Sequence, residues 1–106
     1  MKKLLISALI SFGTLLSTVG VSFADELLVP HFTYRVGPFA ANGTAVANGY
    51  TDYFLMLNER DGGIGGVLTN PEECETGYKA QVGVECYESY RGKNPLIVYP
   101  NSTGIT

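Results

Sequence analysis

Three groups of side chains in this sequence carry chemistry that a fold could use. The first is His31, the sole histidine, with Glu72, Glu73 and Glu75 as acidic counterparts. A histidine beside a carboxylate, or two carboxylates in unlike surroundings, is how general acid–base catalysis is built. Nothing adjacent to the glutamates would drive their pKa values apart, so they read as a solvated strand end and loop. His31 lies inside an apolar run and reads as a strand histidine with a local partner. The second group is Cys74 and Cys86. With no nearby histidine and no Cys-x-x-Cys pattern they do not make a metal site. They are either a disulfide or two buried thiols. The third group is the amides and hydroxyls of Asn42-Gly43-Thr44 and Asn101-Ser102-Thr103. Both triplets match the N-glycosylation pattern, a short pattern that carries little weight by itself.

The longest element that must position these groups is a helix over Thr44–Asp61. Val46, Tyr50, Tyr53, Phe54 and Leu57 fall on one face, and Asn48, Thr51, Asp52, Asn58 and Glu59 on the other. Thr44 is the expected N-cap and Gly62 the left-handed stop. The apolar run Leu27–Tyr34 predicts a first strand, with Pro30 as its difficulty, since proline removes a ladder donor. Val67–Cys74 predicts a second strand broken at Asn70-Pro71, with Glu72–Glu75 as its second half. Tyr78–Arg91 predicts a second helix. Ala80, Gly83, Val84, Tyr87 and Arg91 form its stripe, Val82, Cys86 and Tyr90 lie beside it, Gly83 permits close packing and Gly92 follows as C′ residue. Leu96–Tyr99 predicts a short buried third strand. Ser102 and Thr103 resemble the N-cap of a further helix. Gly62-Gly63-Ile64-Gly65-Gly66 is a turn and not a phosphate loop, because it follows a helix and no Gly-Lys-Ser/Thr comes after it.

Residues 1–24 read as a secretory signal peptide, with a basic Met1-Lys2-Lys3, an apolar Leu4–Leu16 and a small-residue Ser22-Phe23-Ala24 cleavage site. The apolar core is too short and too serine-rich to favour a membrane anchor. No cysteine sits near the cleavage point, so a lipoprotein is not expected. Of the 7 Lys and Arg residues, Lys2 and Lys3 fall in this leader, leaving 5 against 10 Asp and Glu. The resulting charge, about −5, argues against nucleic acid and anionic membrane surfaces as partners. Residues 25–106 suffice for one small domain. Export makes a Cys74–Cys86 disulfide the favoured state. A helix folded back along the second strand would bring the Cα atoms within the roughly 4.4–6.8 Å that a disulfide spans.

The order β-α-β-α-β gives the fold class: α/β, a three-stranded parallel sheet in order 2-1-3 with flanking helices, preceded by a signal-peptide helix. With the first strand central, the loops Gly37–Gly43 and Pro100–Gly104 become neighbours at the carboxyl edge of the sheet, where open α/β sheets bind ligands. Both precede helix N-termini, whose free N–H groups favour a carboxylate. Phe39 would supply an apolar wall.

Gly37-Pro38-x-Ala40-x-x-Gly43, Asn48-Gly49, Leu57-Asn58 and Gly62-Gly63-Ile64, followed by Glu73-Cys74-Glu75-Thr76, Cys86-Tyr87-Glu88 and Ser102-Thr103, resemble the N-terminal motif series of the type I periplasmic solute-binding proteins of ABC transporters, in the leucine/isoleucine/valine (branched-chain amino acid) branch. The resemblance implies part of lobe 1 of a two-lobed periplasmic receptor, as an N-terminal fragment over residues 25–106. It implies a small solute (an amino acid, amide or small organic acid) and membrane permease subunits as partners, with no cofactor and no enzymatic activity. It places ligand contacts at Phe39 and Asn42 in the first loop and at Asn101, Ser102 and Thr103 in the second. It also matches Cys74 to a cysteine that follows strand two in the family and takes part in a disulfide. Two other readings stand beside it: a small exported disulfide-bonded interaction protein with no transport role, and an exported enzyme using His31 with Glu72, Glu73 or Glu75. An unfinished core and an open edge on the third strand predict aggregation.

Overall fold

The computed structural model describes residues 25–105; the leader reading falls on residues 1–24 and lies outside them. The elements run β1 (Leu27–Thr33), α1 (Ala40–Asp61), β2 (Thr69–Glu75), α2 (Ala80–Arg91) and β3 (Tyr99–Pro100). The strands are parallel, in the order β2-β1-β3, and the two helices pack on opposite faces. The expected α/β class and strand order are both observed.

The period-2 geometry of a strand decides what each β1 residue meets. Odd-numbered side chains, Val29, His31 and Thr33, face α1, as the contact between His31 and Tyr50 shows. Leu28 and Phe32 face α2 and form the core there with Cys86, Tyr90, Cys74, Val82, Val98 and Ile105. The same alternation governs the backbone. The Leu27 N–H donates to the Leu68 carbonyl, and the Thr33 carbonyl accepts from the Thr76 N–H, so odd positions hydrogen-bond towards β2. The Leu28 carbonyl accepts from the Leu96 N–H on the other side.

This parity accounts for both prolines. Pro30 is an even position, so its missing donor is on the β3 side, and the β1–β3 ladder starts only after it, at His31↔Tyr99. The third strand is therefore not Leu96–Tyr99. It is Tyr99–Pro100, and Leu96 and Ile97 are 54% and 52% exposed rather than buried. Pro71 pairs in register with Val29. The β2 groups that bond to β1 are those of even residues, from the Leu68 carbonyl to the Thr76 N–H, so Pro71 turns its nitrogen to the open edge. The expected break at Asn70-Pro71 is absent, and β2 runs unbroken from Thr69 to Glu75.

Helix α1 begins at Ala40, not at Thr44. Phe39 occupies the N-cap position without a side-chain cap, and the Gly43 N–H bonds to the Phe39 carbonyl. The early start is possible because Gly43 is buried directly against Tyr34: a Cβ there would lie 2.1 Å from the Tyr34 carbonyl oxygen. The buried face centres on Gly43 and Ala47, with Tyr50 and Phe54 partly covered, while Val46 and Tyr53 are exposed. Asn58, assigned by periodicity to the solvent side, instead joins α1 to β2. Its amide donates to the Thr69 carbonyl at 2.8 Å, and its oxygen accepts from the Thr69 N–H at 2.7 Å and hydroxyl at 2.8 Å. Gly62, at φ 69°, closes the helix as expected.

Helix α2 spans Ala80–Arg91, starting two residues later than expected, and buries Gly83, Cys86 and Tyr90. Val84 and Tyr87 stay about half exposed. Gly92 is right-handed, so its special freedom is unused. A side chain at Gly83 would collide with Ile105, so the glycine admits the segment after β3 rather than the sheet. Cys74 and Cys86 are joined by a disulfide with Cα atoms 5.9 Å apart.

Candidate functional site

The carboxyl edge of the sheet is organised by Arg35 and Glu75. The Glu75 carboxylate accepts from the Thr33 hydroxyl at 2.8 Å and from the N–H groups of Arg35 at 2.9 Å, Gly77 at 3.0 Å and Val36 at 3.3 Å. It thereby ties together the two chain segments leaving β1 and β2. Burial pushes its pKa up, but these donors outweigh burial and hold the carboxyl below its usual range. Arg35 grips Glu73 through two bonds of 2.8 and 2.6 Å and donates to the Asn48 side chain at 2.8 Å. The Arg35 guanidinium, against opposing burial, holds Glu73 below the usual carboxylate range. Glu72, on the opposite face, accepts from the Tyr90 hydroxyl at 2.9 Å. Burial, reinforced by that bond, pushes Tyr90 up to about 12. The three glutamates are thus structural ties rather than merely solvated, and they form no acid–base pair.

His31 does not join them. It is fully buried, and neither ring nitrogen has a hydrogen-bond partner. The expected local partner is aromatic: the imidazole sits 4.6 Å from the Tyr50 ring and 5.0 Å from the Tyr99 ring. The His31–carboxylate arrangement that an enzyme would need is not formed.

The two loops do meet at one end of the sheet, and the residue joining them is Tyr78. Its ring packs 4.6 Å from Phe39 and edge-on to Tyr34 at 5.0 Å. Its hydroxyl shares a 3.0 Å hydrogen bond with the Thr103 hydroxyl. A depression of about 300 Å³ is lined by Tyr34, Tyr78, Tyr99, Asn101, Ser102 and Thr103 together with Pro100. The Asn101 side-chain nitrogen is buried there without a partner. Of the five expected ligand residues, Asn101, Ser102 and Thr103 line the depression. Phe39 flanks it through Tyr78. Asn42 lies in the first turn of α1, exposed, not in a loop. Ser102 and Thr103 cap no helix among the described residues; they form a turn in which the Ile105 N–H bonds to the Ser102 carbonyl.

Sequence reasoning missed the tyrosines. Tyr78 was counted as the start of α2, but it adopts φ 66°, unusual for a bulky side chain. The preceding Thr76-Gly77 was the available signal. The Thr76 hydroxyl accepts from the Tyr78 N–H at 3.1 Å and donates to the Thr33 carbonyl at 2.9 Å. It fixes the turn that aims Tyr78 at the edge. Among the described residues no group of acidic, cysteine or histidine side chains is placed to hold a metal ion.

No protein-family model matches the chain. No curated protein matches it. Among solved structures it is similar to one described as the crystal structure of an ABC transporter permease from the Pseudomonas fluorescens group. The two are 46% identical with a TM-score of 0.60, over 68% of this chain and 17% of that one. This likeness corrects the resemblance drawn from the motifs. The matched protein is described as a permease, not as a periplasmic solute-binding protein of the branched-chain amino acid branch. The reading of the chain as a transporter's substrate-binding component falls with it, and the alternative of an interaction protein outside transport gains no support. What the description of the matched protein shares with that resemblance is the ABC transporter. The motifs misled because they record a glycine-hinged strand–helix unit, which fixes a fold and not a role. Among the described residues no helix is long and apolar enough to cross a membrane.

Proposed function

We propose that the chain belongs to a permease-like component of an ABC-type transporter, with residues 25–105 as an extramembrane α/β unit. The observation that carries this is the 46% identity to a protein described as an ABC transporter permease. The chain spans 17% of that protein. We place the unit on the periplasmic side. The leader-like residues 1–24 and the Cys74–Cys86 disulfide support export to an oxidising compartment.

The rim of Tyr34, Tyr78, Tyr99, Asn101, Ser102 and Thr103 is the part of this unit suited to touch a small polar solute, such as an amino acid, an amide or a small organic acid. It offers aromatic faces and hydroxyls, the mixture found in small-molecule sites. The left-handed Tyr78 backbone is a strained feature of the kind that gathers at functional sites.

The test is photo-crosslinking in cells from the full chain carrying Tyr78→p-benzoylphenylalanine. Capture of the membrane subunits of an ABC transporter supports the reading; capture of none of them, with the protein exported and folded, overturns it. Tyrosine fluorescence, usable without interference because the chain has no tryptophan, then reports solute contact. A panel of amino acids, amides and organic acids that changes neither the native signal nor that of Tyr78→Ala would remove the solute from the proposal.

A further inference from the structure

His31 lies at the centre of the α1-facing side of the sheet, with Glu73 and Tyr99 as its register partners on β2 and β3. Its ring touches Tyr50 and Tyr99, and those two rings stack on each other at 5.2 Å with planes 4° apart. Strand β3 has only two residues and joins β1 at His31 and Phe32 alone. The histidine–tyrosine contact is the tie of β3 on the α1 side, beside Val98 packed on the Phe32 core and the Leu96–Leu28 hydrogen bond. We propose that His31 is a proton-sensitive latch: neutral, it clamps Tyr99 and β3 to the sheet; protonated, it releases β3 and the rim segment Asn101–Thr103 that follows.

The chemistry is that of a buried base without an acceptor. A protonated imidazole has two N–H donors and needs two acceptors, and both His31 nitrogens are buried without a partner. Relief would have to come from the elements packed against the ring. From α1, Tyr50 offers no anion, since burial, and then Tyr99, push its hydroxyl up to about 12. From β3 comes Tyr99, also a phenol. From β2, Glu73 is the one carboxylate in reach, but Arg35 holds it through two bonds and the Thr51 hydroxyl donates to it at 3.3 Å. Burial holds His31 below its ordinary pKa; Glu73 opposes this and Arg35 reinforces it. A proton arriving on His31 must therefore break the Arg35–Glu73 pair or let the ring swing out with Tyr99 and β3. The latter costs less structure, because β3 is the shortest strand. The latch is a property of the sheet and does not depend on what the rim contacts.

Hydrogen exchange by mass spectrometry on the full chain, with the disulfide intact, tests this between pH 7.5 and 5. In the native protein the protection factors of residues 96–103 fall below pH 6.5, by up to about tenfold per pH unit, while those of residues 69–75 hold. In His31→Phe, which keeps a ring and loses the proton, residues 96–103 lose no protection over the same range. The latch is overturned if residues 69–75 lose protection together with 96–103, or if His31→Phe follows the native profile. Should His31→Phe fail to fold, the His31 ring protons in the native protein decide by NMR. A midpoint well below 6.5, accompanied by shifts of Tyr99, supports the latch, and an unshifted midpoint overturns it.

Discussion

Gly43 and Gly49 sit on the same helix and should respond oppositely to a methyl group. A Cβ at Gly43 meets the Tyr34 carbonyl and ring at 2.1 to 2.7 Å, whereas one at Gly49 meets nothing within 4 Å. Gly43→Ala is expected to destabilise by about 1–3 kcal/mol through overpacking, and Gly49→Ala to stabilise by up to about 1 kcal/mol through helix propensity. Urea unfolding of both variants checks the pair; equal signs would contradict the packing described. Asn58→Ala should cost roughly 1–3 kcal/mol, because it strands the Thr69 N–H and leaves the Thr69 hydroxyl only the Phe54 carbonyl. Glu75 gives a prediction in pH. Its folded pKa lies below the unfolded value of about 4.5, so its contribution is complete above that value and is lost as pH falls through the folded value. Glu75→Gln should lower stability near neutral pH by roughly 1–2 kcal/mol and flatten the loss below pH 4.5. A native-like acid profile in the variant would contradict the role of the carboxylate as a tie held by four donors.

At the scale of elements, the disulfide and the strand parities matter most. Cys74 and Cys86 are 12 residues apart and join β2 to the second turn of α2. By loop-closure entropy the bridge contributes about 3 kcal/mol. The double variant Cys74→Ser with Cys86→Ser, or full reduction, should lower the unfolding free energy by that order; no change would mean that α2 holds to the sheet without it. Helix period was legible in the residues from Thr44 onwards, and so was the left-handed stop at Gly62. The true start at Ala40 was not, because it depends on Gly43 meeting Tyr34, a contact between distant parts of the chain. Asn70-Pro71 looked like a break since a local rule penalises proline in strands. The penalty applies only when the missing N–H faces a neighbour, and at the open edge of β2 it does not.

For the whole molecule, the expected weakness remains at the third strand. Leu96, Ile97, Val84 and Tyr87 are each about half exposed. An apolar groove of about 350 Å³ runs between α2 and β3. Exposed apolar surface of this kind beside a two-residue edge strand favours association. Sedimentation of residues 25–106 should show concentration-dependent association, reduced in Ile97→Lys; a monomer at all concentrations would contradict it.

The residues in order were enough to specify the alternation of strand and helix, the parallel sheet with β1 in the middle and the meeting of two loops at one edge. All of these follow from local periodicity and from the handedness of crossover connections. Only the assembled sheet decided that Tyr78 bridges the loops, that His31 is packed between tyrosines with no hydrogen bond to a carboxylate, and that Asn58 serves the interior. Those outcomes depend on which side of a strand each group faces and on what a distant segment brings to it, and a linear pattern does not contain that information.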